Sequence, residues 1–170
     1  VEPLNDERVR EAIALALTRA DICSVIGTDY IPSVNYVGEY MLSDLGGEYF
    51  KDEQDPLFEE DAEKAKQLLA DAGYPDGEGF PKLTYKYPNS EKDGLLAQGI
   101  QAQLKSVLNI DVELVGEENG VLETDKADGN FELIRDSWTA DFNDPINFLS
   151  LFTSNSSSNN NGVNDEAYDT

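Results

Sequence analysis

Lys82-Leu-Thr-Tyr-Lys-Tyr-Pro-Asn-Ser-Glu-Lys-Asp-Gly-Leu-Leu-Ala-Gln-Gly-Ile-Gln-Ala-Gln-Leu-Lys-Ser-Val-Leu-Asn-Ile-Asp-Val-Glu-Leu114 is the stretch on which the fold class turns. Leu83, Tyr85 and Tyr87 alternate with polar neighbours at the period of a half-buried strand, and Pro88 ends it. Ser90 is a helix N-cap, and Leu96, Ile100, Leu104 and Val107 then recur on one face of a helix running to about Leu108. Asn109 suits the left-handed exit from that helix. Ile110, Val112 and Leu114 alternate with Asp111 and Glu113 as a second strand.

Towards the C-terminus, a polar piece around Val121 to Lys126 is predicted to be helical, and Phe131-Glu-Leu-Ile-Arg-Asp-Ser-Trp138 is predicted to be a buried strand ending in the only tryptophan. Strand, helix, strand, helix, strand is the rhythm of an α/β layer with crossover connections, so a mixed sheet with flanking helices is expected. A short acidic loop, Thr139-Ala-Asp141-Phe-Asn143, follows. A helix is expected to start at Pro145 with Asp144 as its N-cap, because proline at the first helical position gives up no hydrogen bond. The loop is thereby pinned at both ends, with an aromatic ring and a carboxylate three residues apart. That pairing suits a small ligand bearing a cation.

Towards the N-terminus, Glu60 to Ala72 is the clearest helix, with Ala65, Leu68, Leu69 and Ala72 on one face, Gly73 as its left-handed end and Pro75 preventing its resumption. Residues 28–57 lose all periodicity and gather prolines, glycines and tyrosines, which predicts a long irregular loop. Tyr30, Tyr36, Tyr40 and Tyr49 fit either the lining of a ligand groove or the packing of that loop on its own domain. The chain opens with a predicted helical pair. Asn5 or Asp6 caps the first helix, which buries Val9, Ala12, Ile13, Ala16 and Leu17; the second starts at Asp21, turns Ile22, Val25 and Ile26 inward and stops at Gly27. At the other end, residues 153–165 form a polar, low-complexity segment expected to be a flexible loop, and the chain stops without a closing element, which points to a fragment.

With 170 residues, 39% of them hydrophobic, the chain can bury a core without disulfides; its single cysteine, Cys23, is expected to be a small buried residue. Twelve basic against 35 acidic residues give a net charge of −23, which argues against nucleic acid and anionic membrane surfaces as partners. The same field favours cations, although solubility alone accounts for an acidic surface. Histidine is absent, so Ser-His-Asp triads and histidine-based zinc sites are excluded. No apolar run approaches the roughly 20 residues of a membrane helix. The opening Val1-Glu-Pro-Leu-Asn5 is no signal peptide, so the protein is either intracellular or begins after its targeting segment.

Familiar ligand motifs fail in turn. With Gly129 at the sixth place of a calcium loop, Thr124, Lys126 and Arg135 occupy ligand places, and with Gly162 there, Tyr168 stands where a glutamate is required. No glycine-rich run ends in Lys-Ser or Lys-Thr, and carboxylate pairs are too numerous among 35 acids to identify a glycoside hydrolase. No cofactor or metal site is expected.

Several dense patterns remain. They are Asn5-Asp-Glu-Arg-Val-Arg-Glu-Ala-Ile13 with Ala16 and Arg19, Ala65-Lys-Gln-Leu-Leu-Ala-Asp-Ala-Gly-Tyr-Pro75 through Gly79-Phe-Pro81, Gln103-Leu-Lys105 before Ile110-Asp-Val112, and Trp138-Thr-Ala-Asp141-Phe-Asn-Asp144-Pro145 with Phe148-Leu149. In their order and spacing the chain resembles the C-terminal lobe of the extracytoplasmic oligopeptide-binding proteins of ABC importers, solute-binding family 5. The resemblance covers nearly all of the chain. It implies that residues 1–170 form a single α/β lobe of a two-lobed architecture like the type II periplasmic binding proteins, with the N-terminal lobe and its signal and lipid-attachment segment outside this chain.

The resemblance also implies a function: non-enzymatic capture of a peptide between two lobes, outside the cytoplasmic membrane, for delivery to the importer's permease subunits. In the peptide-binding members an aspartate of this loop pairs with the peptide's α-ammonium group, and by position it is Asp141. Trp138 is then an apolar wall beside the amine, with Thr139 and Ala140 between the two. Arg135 is expected to orient Asp141 or reach the ligand backbone, and Lys126 is a weaker candidate for the peptide's carboxylate end. On residue type alone, Trp138 fits a core position, Asp141 a solvated turn and Arg135 a structural ion pair as well. Relatives for dipeptides, nickel complexes or sugars share much of the pattern; Ala140-Asp141-Phe142 resembles the oligopeptide form. A carboxylate-based glycoside hydrolase domain and an acidic interaction module are the alternatives of other classes.

Overall fold

The computed structural model describes residues 2–27, 30–43, 47–50 and 56–169. Helices α1 (Glu7–Leu15) and α2 (Arg19–Ile26) open the chain, and α3 (Ala62–Asp71) follows the long connection. Then come β1 (Leu83–Pro88), α4 (Glu91–Leu108), β2 (Val112–Glu117), α5 (Asn119–Asp128), β3 (Leu133–Ile134) and α6 (Ile146–Leu149). The strands form one sheet in the order β2-β1-β3, with both pairings parallel. The α/β class with flanking helices is therefore the one expected.

Local chemistry accounts for the helix ends. Asp6 accepts from the Arg8 amide at the start of α1, Asp61 from Lys64 at α3, and Ser90 from Asp93 at α4. Each replaces an intrahelical bond that the first turn lacks. Asn109 leaves α4 at φ 56°, as its position predicts. Gly77, at φ 74°, lies so close to the α4 terminus that a Cβ there would stand 2.4 Å from the Leu108 carbonyl oxygen.

Alternation sorts the two faces of the sheet. Leu83, Tyr85 and Val112 point into the main core with Val9, Ala12, Leu15, Ala65, Leu69, Ala97, Leu104, Leu108 and Ile110, beneath α1, α3 and α4. Lys86 points the other way and binds Asp125 of α5. The joint between α1 and α2 is fastened to α4 by Gln103, which accepts from the Thr18 amide at 2.8 Å and donates to the Thr18 carbonyl at 3.3 Å.

Three expectations need correction. In α2 only Ile22 is buried, against Gly99 of α4, while Val25 is 52% exposed. A helix this short resting on one neighbour buries only the side that touches it. Cys23 is half-buried rather than buried. The strand expected over Phe131–Trp138 is paired only at Leu133 and Ile134. It finds a partner on one side alone, and after the Arg135 amide donates to the Lys86 carbonyl at 2.8 Å the chain leaves the sheet.

Of the expected 28–57 loop, residues 28–29, 44–46 and 51–55 lie outside the described residues. Leu42 and Tyr49 form an isolated antiparallel bridge, and the Phe50 amide donates to the Met41 carbonyl at 2.8 Å. Residues 153–169 run through successive turns. Asn159 holds Thr153 and Val163 through its side chain, the Ser154 amide donates to Asp169 at 2.8 Å, and the Tyr168 hydroxyl donates to the Leu149 carbonyl at 2.7 Å.

Candidate functional site

β3 gives way to the Trp138 loop at the edge of the sheet where all three parallel strands end, the position at which open α/β sheets form their ligand crevices. Pro145 is buried and helical, Asp144 accepts from the Ile146 amide at 2.9 Å, and the Leu149 amide donates to the Pro145 carbonyl at 3.0 Å. The acidic loop therefore ends on a capped turn of helix, as its sequence predicts. Its start is held differently from expectation. Trp138 is 42% exposed rather than the end of a buried strand, and its Nε1 donates to Asn147 Oδ1 at 2.7 Å. The ring is fixed by one polar bond instead of by core packing.

A cleft of about 680 Å³ opens beside this ring, lined by Trp138, Lys126, Asp136, Tyr36, Phe148 and Phe152, with the serines and asparagines of residues 157–161 at its edge. Tyr36 meets Phe152 edge-on at 4.5 Å between centroids and Phe148 at 6.3 Å, so one tyrosine of the long connection joins the cleft wall. Tyr40 and Tyr49 instead pack on each other at 6.0 Å, and Tyr30 lies against Lys92, whose ammonium is 4.5 Å from the ring centroid. Burial pushes the Tyr36 hydroxyl's pKa up.

Lys126 is 7% exposed, and its ammonium bonds Glu123 at 2.6 Å and Asp136 at 2.9 Å. Burial alone would lower its pKa, but the bonds to Glu123 and Asp136 outweigh that and hold it above the ordinary lysine value. The Lys126 cation is therefore kept in the cleft wall already paired. Arg135 borders an adjoining depression of about 390 Å³ that shares Lys126 and Asp136. Its ion-pair partner is Asp93, 3.7 Å away, rather than Asp141. The Arg135 Nε is buried without a hydrogen-bond partner.

Asp141 and Thr139 are exposed and Ala140 is half-buried; none of the three lines either cavity. Asp141 makes no hydrogen bond or ion pair with the described residues. The structure thus joins Trp138 with Lys126 in one cleft, Arg135 with Lys126 in the next, and leaves Asp141 on the open side of the loop. Asn147, Asp136 and Phe152 join the site without being singled out by the sequence, and Phe148, part of the family pattern, is placed in the cleft wall. Asn147 carries a faint signal, an amide set between Ile146 and Phe148 in an otherwise apolar turn. Among the described residues no cluster of carboxylates and cysteines could hold a metal ion, and no helix is long and apolar enough to cross a membrane.

Residues 1–160 match the model described as bacterial extracellular solute-binding proteins, family 5 Middle. The periplasmic murein peptide-binding protein MppA of Escherichia coli is 34% identical over 98% of the chain and 31% of its own length. The oligopeptide-binding protein OppA of Bacillus subtilis is 31% identical over 94% of the chain and 29% of its own length. Among solved structures, a periplasmic oligopeptide-binding protein of an oligopeptide ABC transporter from Borrelia burgdorferi superposes with a TM-score of 0.87 at 36% identity, covering 99% of the chain and 33% of that protein. The chain spans about a third of the length of these relatives.

Proposed function

Because the chain belongs to the bacterial extracellular solute-binding proteins of family 5, we propose that it is the C-terminal ligand-binding lobe of the peptide-capturing component of an ABC importer. Proteins of this family bind solutes rather than transform them, and the proposal contains no chemical step. The protein acts outside the cytoplasmic membrane, in a periplasm or lipid-anchored at the membrane's outer face. It closes an N-terminal lobe over the peptide and delivers it to the permease subunits.

In this reading the Asp141 carboxylate receives the peptide's α-ammonium group, and Trp138 forms the wall beside it. Thr139 and Ala140 supply backbone between them, Arg135 serves the peptide's backbone, and Lys126 reaches the peptide's carboxylate end only by giving up Glu123 or Asp136. The observation that carries the reading is the exposed Asp141 carboxylate, without a partner among the described residues, on a loop pinned by the Trp138 to Asn147 bond at one end and the Asp144 cap at the other. In open water such a pair contributes at most about 1 kcal/mol. Lobe closure removes water and strengthens the charge-assisted bond, so ligand that bridges both lobes shifts the population toward the closed form. The ammonium is common to all peptides, and a roomy cleft with polar edges leaves side chains to be matched by water.

Calorimetry on the full-length protein tests this. Asp141→Asn should weaken binding of a free-amine tetrapeptide at least about tenfold, and N-acetylation of the peptide should do the same to the unaltered protein. Undiminished affinity in either arm overturns the assignment.

A further inference from the structure

We propose that Asn147 is a positioning residue for ligand binding and acts through Trp138, using up the indole's only donor so that the ring offers the ligand a π surface and nothing else. The inference rests on the reading of the Trp138 to Asp141 loop given above.

Indole carries one N–H donor and no acceptor. In this protein the donor is spent on Asn147 Oδ1 at 2.7 Å. The two partners differ sharply in environment, since Trp138 is 42% exposed and Asn147 only 5%. A buried amide is costly unless its hydrogen bonds are met. A half-exposed tryptophan, for its part, would ordinarily sample several rotamers. One bond occupies the Asn147 oxygen and restrains the ring.

Asn147 is itself held by the backbone. Its amide donates to the Asp144 carbonyl at 3.0 Å, and the turn that carries it starts at the buried Pro145. The same turn carries Phe148, whose ring lines the cleft with Trp138. Asp144 and Pro145 therefore end the acidic loop and, through Asn147, also set the ring at its beginning. Asp141 lies between these two fixed points.

The chemical consequence is selective. A ring whose donor is occupied does not reward a ligand acceptor such as a carbonyl or carboxylate. Its π face attracts a cation within about 6 Å, or an apolar or aromatic side chain. A peptide's ammonium end, with the first side chain beside it, belongs to that class.

A double-mutant cycle on the full-length protein tests the inference, with tetra-alanine as the calorimetric probe. Asn147→Leu should reduce affinity about fivefold in the presence of Trp138, and by less than about twofold when Trp138→Phe is already present. The indole N–H resonance of Trp138, identified as the one lost in Trp138→Phe, should shift and exchange faster with solvent in Asn147→Leu. Asn147→Asp keeps the acceptor at the same place and should restore both readouts, which separates loss of the bond from loss of the fold. Equal losses with and without Trp138, or a shifted indole resonance with unchanged affinity, would overturn the positioning role while leaving Asp141 in place. If Trp138→Phe and Asp141→Asn both leave affinity intact, the functional reading falls and takes this inference with it.

Discussion

The Leu42 amide donates to the Asn143 side chain at 3.0 Å, tying the Leu42 to Tyr49 bridge to the acidic loop between Trp138 and Asp144. The bond is exposed, so it competes with water and contributes about 1 kcal/mol to holding the bridge against the loop. Asn143→Ala should therefore raise the exchange rate of the Leu42 amide about fivefold while changing global stability by less than about 0.5 kcal/mol. Amide exchange followed by NMR or mass spectrometry checks it. An unchanged Leu42 rate would mean that the bridge is held by the Tyr40 to Tyr49 contact instead.

Gly77 is a sharper case because two requirements meet at one residue. Its φ is +74°, and an added Cβ would sit 2.4 Å from the Leu108 carbonyl oxygen, which belongs to the backbone at the end of α4 and has little room to move. Gly73, at φ +100°, has open space around the same position. Gly73→Ala should cost about 1–2 kcal/mol from backbone strain alone. Gly77→Ala should cost about 2–4 kcal/mol, because the clash adds to the strain. Urea unfolding of the two variants side by side checks the ordering, and equal costs would show that the α4 terminus gives way.

What was legible in the sequence follows the range of the forces involved. Asp6, Ser90 and Asn109 act within one turn of their own helix, so their roles can be read from neighbours in the chain. The alternation of Leu83 and Tyr85, and of Ile110 and Val112, likewise records which face is covered. Trp138 departs from its expected burial because bulk and apolarity predict burial, whereas its exposure depends on β3 pairing with β1 for only two residues. Val25 failed for the same reason, since periodicity says which residues share a side but not how wide the neighbouring helix is. Lys126 shows the limit most clearly. Its burial is tolerable because Glu123 stands one turn earlier on α5 and Asp136 arrives from the far end of β3. The first partner is visible in the sequence, and the second depends on where the sheet ends.

The ion pair between Lys86 and Asp125 gives a pH dependence whose sign can be worked out. Lys86 Nζ bonds the Asp125 carboxylate, with Asn130 donating to the same group at 2.9 Å, and both side chains of the pair are about 85% buried by the sheet and α5. The bond from Lys86, followed by that from Asn130, holds the Asp125 pKa below the ordinary 3.8. Folding therefore favours the ionised form. The stabilisation is fully present above about pH 5 and is lost as pH falls through 3.8 toward the depressed folded value. On the alkaline side, the bond to Asp125 raises the Lys86 pKa above 10.5, so its contribution is present below that value and lost as pH rises through the folded one. Asp125→Asn should flatten the acid limb of a plot of urea midpoint against pH and lessen the alkaline limb, where Glu117 at 3.5 Å still holds Lys86, with the variant and the parent protein converging once pH falls below the depressed Asp125 value. A difference between them that stays constant from about pH 7 to about pH 3 would show that Asp125 stabilises the fold by packing and hydrogen bonding without its charge.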